Sequence, residues 1–332
     1  MDEIAEWPQM QDQAAPPPEP LRPLVKEARW ASTQYAAQLI ADSHAFYAAW
    51  TAMQGQAPYA VYHYTDAIGV NNILESGHIW ASDLLYLAGS RELDYVRDLI
   101  RTRVGERWNA TDPLLSEFCA RADEALDPRS WTRSIFAACF CENGDSLAQW
   151  RAYAGPRGGY AVGLRTAVLD VDVGRYPPAH LRRVIYDPEH QSALIGGLLD
   201  RALGLLKTVD AGRLEAIEVV LEYLADHLAE LVASFKQPAF REDQEWRLLL
   251  VADTAYPDEG LARVRFRTAG GHIVPYIPVD VSPAGGPASS PIAEVICGPL
   301  ERTDLSARAI QLLLKKRSIA GARVRPSALA LR

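Results

Sequence analysis

Asp243 and Glu245 stand two positions apart, just ahead of the apolar run Trp246 to Val251. On extended backbone two such carboxylates share a face. Partial burial of Glu245 against Trp246 would perturb its pKa, and a perturbed carboxylate in a cleft is a candidate for catalysis. The plainer outcome for such a run is a solvated acidic turn. His63, followed by Tyr64 and Thr65, ends a second apolar run that starts at Ala60. A histidine there is more often structural than functional. A polar strand end that leads into a helix N-terminus nevertheless suits an anionic or polar ligand.

The stretch Ile135 to Leu164 organises the rest. It reads as a strand to Cys141, a polar turn through Glu142 and Asp145, and a short helical segment with Ser146, Trp150 and Tyr153. A glycine turn from Gly155 to Gly159 leads to a second strand, Tyr160 to Leu164. Trp150 and Tyr153 are three apart and share a helix face. They either pack in a core or stack a flat ring such as a base. The expectation is that this element forms one wall of a nucleotide pocket, with His63 and Glu245 on the other walls. Ser146 lies in no G-x-S-x-G elbow, which ranks a Ser-His-Asp hydrolase low.

Other chemistries have less support. Cys119, Cys139, Cys141 and Cys297 form no CxxC pair, which argues against structural zinc. His78, His180, His190, His227 and His272 are scattered, so no metal is expected. There is no GxGxxG and no GxxxxGK[ST], so neither a Rossmann site nor a P-loop has motif support. The chain has 332 residues, 48% hydrophobic and 23% charged, ordinary for a soluble globular protein. A net charge of -8 argues against a broad nucleic-acid or membrane surface. No apolar run reaches the roughly 18 residues that span a bilayer. The start, MDEIAEWPQM, lacks the basic and apolar regions of a signal peptide. A cytoplasmic location is the expectation, with export by a machine that ignores such signals left open.

Around these residues the patterning predicts a proline-rich tail over 1–24 and an N-terminal helical element over 25–58. A single α+β domain is expected over 59–332. Asp66 is a plausible N-cap and Gly77 a plausible C′ residue for a helix between two strands. Residues 83–126 read as helical, and a helical insertion is expected at about 187–236, broken near Gly212. Strands are expected over 262–268, 273–278 and 293–297, then a helix over 305–316. The irregular order of strands and helices favours α+β over a doubly wound sheet.

Several pieces, in this order, resemble a bacterial family of uncharacterised proteins, domain of unknown function 2971. They are Tyr62-His63-Tyr64-Thr65, Ile73 to Ser82, Cys139-Phe140-Cys141, Asp145-Ser146-Leu147 and Trp150 to Ala154. Phe240 with Asp243, Glu245, Trp246 and Arg247 follows, then Pro275-Tyr276-Ile277, Ile292 to Pro299 and Ser327 to Arg332. The family's Asn-Asp-Pro piece is missing from Asp83 to Glu92, and its Glu-x-Glu is Asp243-x-Glu245 here. The opening, a His-x-Thr strand, an Ile-Leu-x-x-Gly helix end and a strand reaching Ser82, also looks like the ADP-ribosyltransferase superfamily.

That looser resemblance implies a pair of small sheets around a cleft that binds NAD as substrate, with no metal. It implies ADP-ribosyl transfer to a macromolecular acceptor, protein or nucleic acid, by a toxin or defence effector with a neutralising partner. Glu245 would hold the nicotinamide ribose, with Asp243 beside it. His63 would bond the adenosine-side ribose, supported by Tyr64 and Thr65. Tyr153 or Trp150 would stack the nicotinamide, with Ser82 and Ser146 lining the cleft. A nucleotide-binding sensor without catalysis, and an NAD glycohydrolase or other hydrolase, are the alternatives. Glu245→Gln is expected to cut turnover by orders of magnitude with little change in melting temperature.

Overall fold

Asp66 and Gly77 bracket the first helix. The Asp66 carboxylate accepts the Gly69 N–H, and the Gly77 N–H donates to Ile73 O from a left-handed conformation. The structure, a computed structural model, describes residues 45, 46, 50, 55–87, 90–109, 111–127, 133–153, 158–169, 179–208, 214–253, 261–281, 290–299 and 302–329. The expected tail, most of the N-terminal helical element, and Gly155 to Arg157 of the glycine turn lie outside these residues.

In chain order the elements are β1 (Ala60–Thr65), α1 (Ala67–Ser76), β2 (His78–Asp83), α2 (Leu84–Leu87), α3 (Ser90–Gly105) and α4 (Pro113–Ala125). Then come β3 (Arg133–Cys141), α5 (Leu147–Tyr153), β4 (Tyr160–Arg165), β5 (Ala179–Arg183), α6 (Pro188–Thr208) and α7 (Leu214–Val232). The rest is β6 (Glu245–Asp253), β7 (Arg265–Ala269), β8 (His272–Asp280), β9 (Ile292–Cys297), α8 (Thr303–Lys316) and β10 (Arg323–Pro326). The fold is α+β with a mixed, open sheet. The helical stretch expected over 83–126 is three separate helices. The strand expected from 262 starts only at Arg265, because Val264 N–H closes a turn onto Leu261 O.

β3 is the junction of the sheet. Along one edge it pairs with β6 over its whole length, Arg133↔Asp253 to Cys141↔Glu245. The other edge is shared by two strands that part from one another. β1 meets it only at Tyr62↔Cys141, and β2 only at Ser82↔Ala137 and Asp83↔Phe136. Between these contacts Ala138, Cys139 and Phe140 have no strand partner on that edge among the described residues. β1 continues into β4, β9 and β10, and β2 into β8 and β7. The sheet therefore splits into two wings at β3, and α1 joins the wings.

Two cores hold this arrangement. The alternate residues Phe136, Ala138, Phe140, Trp246, Leu248 and Leu250 pack with α1 and α8 residues such as Leu74 and Ile310. A helical core joins α3, α4, α6 and α7 with Phe46 and Trp50. Leu93, Ile135, Ala137, Ala229, Ala233 and Leu249 stitch the helical layer to the opposite face of β3 and β6. Period-two burial on both faces of these strands is what a sheet between two apolar layers requires.

A fourth, smaller cluster fixes α5. Trp150 is 1% exposed and packs with Tyr64, Cys141, Ala161 and Ile296. Its Nε1 donates to Asp145 Oδ1 at 2.7 Å, and its ring meets Tyr64 edge-on at 4.7 Å. Gly298 lies against the same ring. A Cβ there would stand 2.9 Å from Gly159 O and 3.0 Å from the indole. Neither neighbour can give, so Gly298→Ala is expected to lower stability by roughly 1–3 kcal/mol. A thermal melt unchanged from wild type would show that the strand end moves aside at no cost.

Candidate functional site

The gap between the wings opens into a cleft of about 590 Å³. His63, Tyr64 and Thr65 line it from β1, Trp80 and Ser82 from β2, and Cys139 from β3. Gln149 and Tyr153 come from α5, Lys236 and Asp243 from the segment between α7 and β6, Glu245 and Arg247 from β6, and Arg267 from β7. Of the residues singled out from the sequence, Ser146 and Trp150 do not reach it. Trp150 is closed inside its cluster and has no free face for a ligand. Ser146 gives its backbone N–H to Tyr64 Oη at 2.9 Å, just before α5 begins. Tyr153, at the end of that helix, is 55% exposed.

His63 sits where β1 leaves β3. Its Nδ1 lies 2.9 Å from Cys139 O, one of the edge groups without a strand partner. A carbonyl oxygen only accepts, so Nδ1 carries the proton. Burial lowers the His63 pKa, partly offset by that carbonyl bond. The ring is therefore neutral near neutral pH, and Nε2 keeps its lone pair. Thr65 is held by the start of α1. A Cβ at Gly69 would fall 1.8 Å from its Oγ1, so glycine permits the close approach.

The opposite wall is a tight charge cluster. Lys236 Nζ donates to Asp243 Oδ2 at 2.6 Å and to Glu245 Oε2 at 2.7 Å. Arg247 Nε donates to Glu245 Oε1 at 2.8 Å, Nη1 to Ala233 O at 2.7 Å, and Nη2 to Glu92 Oε1 at 2.7 Å. Gln149 Nε2 donates to Asp243 Oδ1 at 3.1 Å, and the Glu245 N–H donates to Tyr186 Oη at 2.9 Å. Glu245 and Arg247 are 6% and 4% exposed.

Burial alone would raise the Glu245 pKa. Arg247 and Lys236 outweigh it and hold the carboxyl at about 2. The direction is opposite to what burial against Trp246 alone would give. Desolvation would lower the Lys236 pKa, but Glu245 and Asp243 raise it. The Cys139 thiol is pushed well up by burial and by Glu245, which leaves it unsuited as a nucleophile.

Asp243 and Glu245 do converge, but not by strand parity. Asp243 ends a 3-10 turn, Pro238–Asp243, and Gln244 follows with φ 44° before β6 begins. Lys236 draws the two carboxylates together across that kink. Nothing in the sequence pattern points to Lys236, Gln149, Glu92 or Arg267 in the site. Trp80 lies within reach of such reasoning, since Trp80 and Ser82 are two apart on one strand and share a face. Among the described residues there is no group of three or more His, Cys, Asp or Glu placed to hold a metal ion. No described helix is long and apolar enough to cross a membrane.

No curated protein and no solved structure matches the chain. Residues 149–248, which span α5 to β6 and carry Gln149, Tyr153, Lys236, Asp243, Glu245 and Arg247, match the model of the family described as Protein of unknown function (DUF2971).

Proposed function

We propose that the split sheet is an ADP-ribosyltransferase-like scaffold, and that its cleft binds NAD and transfers ADP-ribose to a macromolecular acceptor. The observation that carries this reading is one cleft lined by neutral His63, exposed Tyr153 and ionised Glu245, from three distant parts of the chain. In the reaction the bond between C1′ of the ribose and the nicotinamide nitrogen breaks. Its electron pair leaves with nicotinamide, and positive charge develops on the ribose. Glu245, held by Lys236 and Arg247, would accept hydrogen bonds from the ribose hydroxyls and fix the sugar as that charge forms. Oε2 already accepts from Lys236 Nζ and, at 3.4 Å, from Arg247 Nη2, so the ribose would bond the remaining lone pair of Oε1. The acceptor nucleophile then bonds C1′ and loses its proton, for which Asp243, which lines the same cleft, would be the base. Tyr153 would stack the nicotinamide, and His63 Nε2 would accept from the adenosine-side ribose.

A second reading draws on the same cluster. Both carboxylates are already matched by cations, as in a binding module without catalysis. Incubation with NAD separates the two. Nicotinamide release with labelled acceptor supports the transferase, and free ADP-ribose alone supports a glycohydrolase. Bound but intact NAD supports the sensor. His63→Ala is expected to weaken NAD binding about fivefold, the loss of one hydrogen bond of roughly 1 kcal/mol. Calorimetric titration that finds unchanged affinity in the folded variant removes His63 from the ligand.

A further inference from the structure

We propose that the Arg267 end of the cleft is an anion site, which takes two linked phosphates of the bound ligand. The proposal rests on the nucleotide reading of this cleft and assigns it a phosphate subsite. The three cations that line the cleft differ in what they face. Lys236 is held by Asp243 and Glu245, and Arg247 by Glu245 and Glu92. Arg267 has no carboxylate partner among the described residues. Its Nη2 donates to Ser82 Oγ at 3.0 Å, and its guanidinium carbon lies 5.7 Å from the Trp80 ring centroid. Its Nε is buried with no hydrogen-bond partner among the described residues.

A guanidinium held only by a hydroxyl and an aromatic ring keeps its charge uncompensated, and that is costly in a partly buried place. An anion beside it supplies what is missing. The planar fork of arginine matches phosphate oxygens better than a point charge does. Ser82 Oγ accepts from Arg267, so its own proton is left to donate onward to a ligand oxygen. Trp80 is braced by Tyr276, with ring centroids 4.6 Å apart, and so presents a fixed surface under the guanidinium. The cleft is therefore polarised. Glu92, Asp243 and Glu245 surround Lys236 and Arg247 on one wall, whereas Arg267 faces no carboxylate among the described residues. A ligand with a hydroxylated sugar at one end and phosphates further along fits that order of charge.

The test is calorimetric titration with inorganic pyrophosphate, ADP-ribose and adenosine. Wild type is expected to bind pyrophosphate, and to bind ADP-ribose at least about tenfold tighter than adenosine. Arg267→Gln should lose that advantage and leave adenosine unchanged, while Arg267→Lys restores part of it. Arg265→Gln is the control. It removes the same charge from the same strand at a side chain that does not line the cleft. No pyrophosphate binding by wild type overturns the proposal. So does equal loss in Arg265→Gln, or wild-type ADP-ribose affinity in Arg267→Gln. Pyrophosphate binding that depends on Arg267, without any nicotinamide release, leaves the anion site standing and removes the transferase. Nicotinamide release with no dependence on Arg267 does the reverse.

Discussion

Glu245→Gln is expected to cut nicotinamide release by about 10²–10³, the usual cost of one preorganised electrostatic contact. It is also expected to lower the melting temperature, contrary to the expectation from sequence. Glu245 is not a surface carboxylate waiting for substrate. It is the shared partner of Lys236 and Arg247; Arg247 is buried with it, and the Lys236 side chain is only 12% exposed. Breaking a buried ion pair typically costs roughly 3–5 kcal/mol, because the abandoned charge stays buried. Asp243 and Glu92 remain to hold part of that charge, which places the loss toward the lower end.

The pH dependence has a definite sign. The Glu245 carboxyl falls from an ordinary 4.5 to about 2 in the folded chain. A depressed carboxylate pKa stabilises the fold above the unfolded value, and that contribution fades as pH falls through the folded one. Wild type should thus lose this part of its stability between pH 4.5 and about 2, and Glu245→Gln should lack it. Activity should be measured well below the melting temperature of the variant, per mole of folded protein. Wild-type nicotinamide release by Glu245→Gln would sink the proposed mechanism.

Much of the local structure was legible because it depends on short-range rules. Asp66 and Gly77 announce the ends of α1, and the apolar spacing of α6 and α7 announces two packed helices. The split of the sheet was not legible in residue patterning, and two small sheets around a cleft were only what the looser resemblance implied. The split depends on which residues of β3 are left unpaired, a question decided by strands up to 79 positions away, as from Tyr62 to Cys141. The site divides in the same way. Trp150 and Tyr153 share a helix face, yet one is 1% and the other 55% exposed. Spacing shows that two residues lie on one side of a helix, and does not show where along it the core ends. Asp243 and Glu245 converge for a reason parity does not contain, the left-handed Gln244 and the bridging Lys236. Arg247 bonds Glu92 across 155 positions, and no local pattern marks that pair.

Arg247 is the residue whose replacement should disturb this wall most. Its guanidinium joins β6 to itself through Glu245, to the residue just beyond α7 through Ala233 O, and to α3 through Glu92. Three acceptors lie in three directions. The planar fork with five donors meets them at once, and a lysine ammonium on a flexible stem cannot. Arg247→Lys, which keeps the charge, is therefore expected to cost roughly 3 kcal/mol or more. The measurement is the urea midpoint of unfolding. Arg101→Lys gives the contrast, since Arg101 pairs with Asp123 at the surface, where both side chains are well exposed. Its midpoint should stay near wild type, as surface pairs contribute little. Glu245 would also lose its fixed orientation in Arg247→Lys, so nicotinamide release should fall even at temperatures where the variant is fully folded. If Arg247→Lys unfolds at the wild-type urea concentration, the guanidinium does not hold the wall together. The position of Glu245 must then come from Lys236 and the kink at Gln244 alone.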